Sequence, residues 1–124
     1  MHRLRTVRAR QQRYADAVAI IEREYARPLD LDAVAEACVC SRREVQRAFT
    51  AQGTTFRDAL VAIRMRAAAE LLLNQRHVPI TEVSARVAYL NVSQFARAFR
   101  RVYGCAPREY RANAGPRDSG VLAA

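Results

Sequence analysis

Arginine supplies every basic side chain apart from two histidines. The 124-residue chain carries 21 arginines, no lysine and 12 acidic residues, for a formal charge of +9. A guanidinium is a planar fork that can grip a phosphate, or the O6/N7 edge of guanine, through two parallel hydrogen bonds. A pI near 10.7 points to a polyanionic partner, nucleic acid before an acidic membrane surface. Other side chains capable of chemistry stand apart from one another. Cys38, Cys40 and Cys105 have no metal-ligand spacing, and His2 and His77 lie far from them in sequence. Cys38-Val39-Cys40 could form a redox pair, but it falls in a tight break between helical segments, where cysteine serves as a small buried hydrophobe. No nucleophile–base pair, phosphate loop or metal cluster is visible. The chain therefore reads as a non-enzyme with no cofactor and no small-molecule ligand of its own.

The elements that position the arginines come as a repeat. Leu31–Phe49 and Ile80–Phe99 each run an apolar-periodic segment, a tight break, and a polar-faced segment closing on Arg-Ala-Phe: Arg47-Ala48-Phe49 and Arg97-Ala98-Phe99. Aligned on those triplets, Val45 matches Phe95 and Ser41 matches Asn91. Leu31 and Val34 match Ile80 and Val83 once one residue is inserted in the second break. A short helix, a break and a second helix opening at Ser or Asn is a helix-turn-helix pattern. Two copies on a basic chain point to two helices laid into DNA.

The rest of the chain follows from periodicity and punctuation. Residues 1–10 are basic and aperiodic, which predicts a flexible arm. Tyr14, Val18, Ile21 and Tyr25 recur at helical spacing, and Arg27-Pro28 ends that helix. Asp30 caps the next helix, with Leu31, Val34, Ala35 and Cys38 facing inward. Ser41-Arg42-Arg43-Glu44 has the form of a capping box. Val45, Ala48 and Phe49 then pack inward, leaving Arg42, Arg43, Gln46 and Arg47 outside; Gly53 suits a left-handed stop. Thr55 opens a long helix to about Asn74 whose apolar positions are Phe56, Leu60, Ile63, Ala67, Leu71 and Leu72. Its length of roughly 30 Å resembles the ~34 Å between successive major-groove faces. Ile80, Val83 and Val87 form the next stripe. Asn91 caps a helix with Phe95, Phe99 and Val102 inward, Gly104 closes it, and Pro107–Arg111 forms a short last helix. From Ala112 the tail reads as flexible. The fold class is thus all-α, with two homeodomain-like helix-turn-helix units (about 30–53 and 80–103) joined by a linker helix (about 55–74) within a domain over 11–111.

From Val18 to Arg111 the chain resembles the DNA-binding domain of the AraC/XylS family of bacterial transcription regulators. Phe95-Ala96-Arg97-Ala98-Phe99, followed by Tyr103-Gly104-Cys105-Ala106-Pro107-Arg108-Glu109-Tyr110-Arg111, matches that family's closing pattern. Arg64, Ala68 and Leu71-Leu72 match its linker helix. The chain departs from the family at three places. Val83-Ser84 replaces the usual Ile-Ala pair and Ala88-Tyr89 the usual Gly-Phe, and Phe49–Gly53 is one residue short. Loss of the turn glycine removes a residue that takes positive φ cheaply, so the second break is expected to be strained or reshaped.

The resemblance implies Arg43, Gln46 and Arg47 as base readers in the first unit, and Ser93, Gln94 and Arg97 in the second. Arg suits guanine, Gln suits adenine and Ser serves either. Arg42, Arg100 and Arg101 are the phosphate candidates, and the helix starts at Leu31 and Ile80 could add backbone N–H contacts to phosphate. It further implies a regulator binding double-stranded DNA at an asymmetric promoter site as a monomer, usually activating through RNA polymerase. With no membrane span and no apolar leader, the expected location is the cytoplasm, on the nucleoid. The alternatives are a non-specific architectural DNA-binding protein, the DNA-binding fragment of a larger ligand-sensing regulator, and a relative of alkylation-repair proteins with methyl-accepting cysteines. No wedge residues for unstacking base steps are evident, and the cysteines occupy structural positions.

Overall fold

The computed structural model describes residues 2–113, and all of their regular secondary structure is helical. Seven helices follow in order: α1 His2–Glu24, α2 Leu31–Ala37, α3 Arg42–Ala51, α4 Phe56–Asn74, α5 Ile80–Arg86, α6 Val92–Tyr103 and α7 Pro107–Asn113. They form two compact units that divide between Ile63 and Arg64, within α4. The expected tail from residue 114 onward lies outside the described residues.

The first unit closes on Phe49 of α3. Its ring is fully buried and meets Tyr14 edge-on at 5.3 Å and Phe56 at 6.2 Å between centroids. Ala17, Ile20 and Ile21 of α1, Val34 and Ala35 of α2, Val45 of α3 and Leu60 and Ile63 of α4 complete the core. Asp30 starts α2 by accepting the Ala33 N–H at 2.8 Å. Both halves of the capping box form at α3: the Ser41 hydroxyl accepts the Glu44 N–H at 3.1 Å, and the Glu44 carboxylate accepts the Ser41 N–H at 2.9 Å. Thr55 Oγ1 accepts the Asp58 N–H at 3.0 Å and starts α4.

The structure corrects the expected arm. Residues 2–10 are the first turns of α1, not a separate segment. They lack apolar periodicity because they bury little, yet Arg, Leu and Ala are strong helix formers and neither Gly nor Pro interrupts them.

The second unit is built on an aromatic series. Tyr89 packs on Phe95, Phe95 on Phe99, and Phe99 on both Tyr103 (4.7 Å) and Tyr110 (5.2 Å). Val102, expected inside, is 46% exposed. Tyr103 takes the inner place in the last turn of α6, stacking against Phe99 and Tyr110. Arg111 then ties α7 to the end of α4. Its Nε donates to the Leu72 carbonyl at 3.0 Å and its terminal nitrogens to Val78 (2.7 Å) and Gln75 (3.3 Å). The Leu72 carbonyl is one that the helix end leaves without an intrahelical partner, and the Gln75 and Val78 carbonyls belong to the loop beyond it.

The two breaks share one geometry. Val39 and Ala88 both stand at positive φ, 54° and 67°. In the first break the Cys40 N–H reaches the Ala35 carbonyl and the Val39 N–H reaches Glu36. In the second, Tyr89 reaches Ser84 and Ala88 reaches Ala85. This double hydrogen bond is the Schellman ending, which usually carries glycine at the left-handed position. Of the two expected outcomes the second break shows strain rather than reshaping: an alanine, not a glycine, holds the left-handed position. Leu90 is the inserted residue, fully exposed between Tyr89 and the cap Asn91. No described helix is long and apolar enough to cross a membrane.

Candidate nucleic-acid interface

In α3 the 3.6-residue period separates two faces. Val45, Ala48 and Phe49 are buried, while Arg42, Arg43, Gln46 and Arg47 are exposed. Arg43, Gln46 and Arg47 line one open cleft, together with Thr50, Ala51 and Arg10 of α1. Arg10 was not anticipated as part of this surface. Its only sequence signal is its position seven residues before Ala17, on the side of α1 that turns inward further along.

Arg42, a phosphate candidate, points elsewhere: its Nε lies 3.3 Å from Asp32 of α2. Both side chains are largely exposed, so this pair is weak and open to exchange with another anion. Glu44 is held below the usual carboxylate range, first by the Ser41 backbone N–H and then by the nearby charges of Arg13 and Arg47. An Arg13 terminal nitrogen approaches Glu44 at 3.9 Å. The one acidic residue in the first turn of α3 is therefore occupied with capping and an ion pair.

The second unit repeats the division in α6. Phe95, Ala98 and Phe99 are buried; Ser93, Gln94, Arg97, Arg100 and Arg101 are exposed. Asn91 accepts the Gln94 backbone N–H at 3.0 Å, which satisfies the helix start and leaves the Gln94 side chain uncommitted to capping. Arg100 lies 3.7 Å from Glu109 of α7. Gly104 ends α6 at φ 80°. The helix starts at Leu31 and Ile80 differ: Asp30 caps the first, whereas Pro79 gives the second no side-chain cap.

The cysteines are all half-buried free thiols. Burial pushes the Cys38 thiol up, with Cys40 adding to the shift, the opposite of what a reactive thiolate needs. Among the described residues no group of three or more His, Cys, Asp or Glu side chains could hold a metal ion.

Comparison with known proteins identifies the family to which this helical pattern belongs. The helix-turn-helix domain family matches residues 34–113. The chain is 33% identical over 98 residues to the regulatory protein SoxS of Escherichia coli, covering 77% of this chain and 90% of SoxS. It is 41% identical over 68 residues to an HTH-type transcriptional regulator of Mycobacterium tuberculosis, 55% of this chain. It spans only about a fifth of that longer protein. A transcriptional regulator from Chromobacterium violaceum with an AraC-type DNA-binding domain superposes with a TM-score of 0.79 at 28% identity, covering 86% of this chain and 96% of that one. All three are regulators by name. The chain belongs to the helix-turn-helix family of transcriptional regulators and is related to its AraC-type members.

Proposed function

We propose that this protein is a sequence-specific DNA-binding transcription regulator whose two units act as homeodomain-like readers, with α3 and α6 as the reading helices. One observation carries the reading. Each helix buries an apolar face ending in Phe and presents an uncovered face of Arg, Gln and other polar side chains, on a chain of charge +9. Arg43, Gln46 and Arg47 read base edges from α3, and Ser93, Gln94 and Arg97 from α6. Arg42, Arg100 and Arg101 take phosphates, Arg42 and Arg100 by exchanging their carboxylate partners. The two faces are unequal, so the site is asymmetric, spans successive major-groove segments and is bound by a monomer. The role is activation at a promoter, with RNA polymerase as partner, in the cytoplasm on the nucleoid; the names of SoxS and the mycobacterial regulator place such proteins in regulation.

Selection of bound fragments from random DNA tests this directly, with Arg47→Ala and Arg97→Ala variants run alongside. An asymmetric motif is expected, one half of which relaxes in each variant. Tight, salt-sensitive binding without enrichment would instead make the protein a non-specific architectural binder.

A further inference from the structure

The inward side of α1 changes character along its length. From Tyr14 through Ala17 to Ile21 it packs into the first core. Towards the helix start the same side carries Arg13, Arg10 and Arg3, all within about 80° of arc at 100° per residue. Arg13 is engaged with Glu44. Arg10 is half-buried against α3, lining a cleft of about 420 Å³ with Arg43, Gln46, Arg47, Thr50 and Ala51. Three guanidinium groups thus line one cleft that contains no carboxylate. Like charges gathered this way repel one another until an anion enters.

The reading of α3 as a groove helix supplies that anion, and this inference rests on it. The major groove is about 12 Å wide, close to the diameter of a helix with its side chains. Whatever packs beside a helix in that groove stands over one of the two phosphate walls. We propose that the first turns of α1 are a phosphate clamp. A DNA backbone phosphate sits between Arg10 and the Arg43–Arg47 edge of α3, and Arg3, two turns further out, takes a neighbouring phosphate. The contact is blind to sequence and widens the footprint beyond what the two reading helices cover.

The test is titration of the full-length chain against a short duplex of unrelated sequence, at salt concentrations from 0.05 to 0.2 M. Each phosphate contact contributes about 0.9 to the slope of log affinity against log salt. Arg10→Ala is expected to flatten the slope by about 0.9, so that its affinity falls about 3.5-fold less than wild type across that range. Arg3→Ala added to it should flatten the slope further, and Arg10→Lys should restore most of it. Arg5→Ala, on the opposite side of α1, serves as the control and should leave the slope in place. Thermal unfolding of each variant checks the fold, and Arg10→Gln replaces Arg10→Ala if truncation disturbs α1. An unchanged slope in the Arg10 variants, or equal flattening by Arg5→Ala, would overturn the clamp. Inorganic phosphate that displaces the duplex where chloride of equal ionic strength does not would assign the cleft to a small phosphate ligand and overturn it too. A wild-type chain that binds no duplex at all would remove the proposed function itself, a result distinct from any of these.

Discussion

Ser84 and Tyr89 are joined twice. The Ser84 hydroxyl donates to the Tyr89 carbonyl at 2.9 Å, and the Tyr89 N–H donates back to the Ser84 carbonyl at 3.0 Å. Ser84 is a buried polar residue, 1% exposed, and this bond satisfies it. The two residues bracket Ala88, which stands at φ 67° without the freedom of glycine. Tyr89 is fixed further by the Phe95 ring and by the Arg64 guanidinium, 5.9 Å from its centroid. The serine and the missing glycine, which look like separate departures in the sequence, belong to one turn.

A double-mutant cycle should therefore show coupling. Ser84→Ala alone is expected to cost about 1 kcal/mol, the net value of one hydrogen bond. Ala88→Gly alone should stabilise by about 0.5–1 kcal/mol, because release from the left-handed region exceeds glycine's added entropy in the unfolded chain. The double variant should be more stable than the sum of the two single changes, because Ser84→Ala costs less in the glycine background. Chemical denaturation of the four proteins measures this, and strict additivity would show that the serine does not brace the turn.

Val39 poses the same backbone problem without the brace. It is β-branched, stands at φ 54°, and leaves its side chain 90% exposed. Removing that side chain forfeits little burial and relieves a conformation that β-branched residues rarely adopt. Val39→Gly should stabilise by about 1 kcal/mol, raising Tm by several degrees for a domain of this size. A lowered Tm would mean that the valine makes a contact invisible in its exposure.

Much of this was legible in residue types. Ser41 with Glu44, Asn91, Gly53 and Gly104 announce helix ends by chemistry that operates within a few residues, and the structure places each at such an end. Faces set by long-range packing were harder. In α4 the buried residues run Leu60 and Ile63, then Met65, Ala68, Ala69 and Leu72. These are two short stripes out of register, so a single stripe through Ala67 and Leu71 misses Met65. Val39 at positive φ has no local signal, since nothing in a valine suggests it. Arg10 was hidden for the same reason. Its neighbour α3 lies more than thirty residues on, and an arginine at a helix start looks like any solvated charge.

Arg111 should prove more than a surface cation. One guanidinium closes three carbonyls at the end of α4 and in the loop after it, and the Arg111 carbonyl accepts from Arg76 at 2.9 Å. Arg111→Ala removes this donor from all three carbonyls, Gln75 keeping the Val78 N–H, and the expected loss is about 3 kcal/mol. Arg111→Lys should recover only part, since an ammonium cannot span the fork. Thermal unfolding resolves both. If the lysine variant matches wild type, charge alone holds the joint.

The capping carboxylate gives the stability a defined acid limb. Glu44 titrates below its ordinary range because the Ser41 N–H donates to the ionised form. A depressed folded pKa means that its contribution is fully present above the unfolded value and is lost as pH falls through the folded one. Glu44→Gln keeps an acceptor for the Ser41 N–H but does not titrate. Tm measured from neutral pH down to about pH 3 should fall more steeply for wild type than for Glu44→Gln, with the gap opening below the ordinary carboxylate range. Parallel curves would place the acid limb in other carboxylates.

Arg97 and Arg100 lie one turn apart on α6 and are assigned different work. Arg97 stands on the face with Ser93 and Gln94, whereas Arg100 sits beside Glu109 at 3.7 Å. With Arg97 at a base edge, Arg97→Ala should cost about 1–3 kcal/mol on the preferred site and little on unrelated DNA, relaxing the motif at one position. Arg100→Ala should weaken both duplexes alike and flatten the salt slope by about 0.9. Glu109→Ala frees Arg100 from its carboxylate and should move affinity the opposite way, with sequence preference unchanged. Binding isotherms on matched and unrelated duplexes at two salt concentrations separate these outcomes. Equal losses on both duplexes for Arg97→Ala would move that residue to the phosphate set and leave Ser93 and Gln94 to read alone.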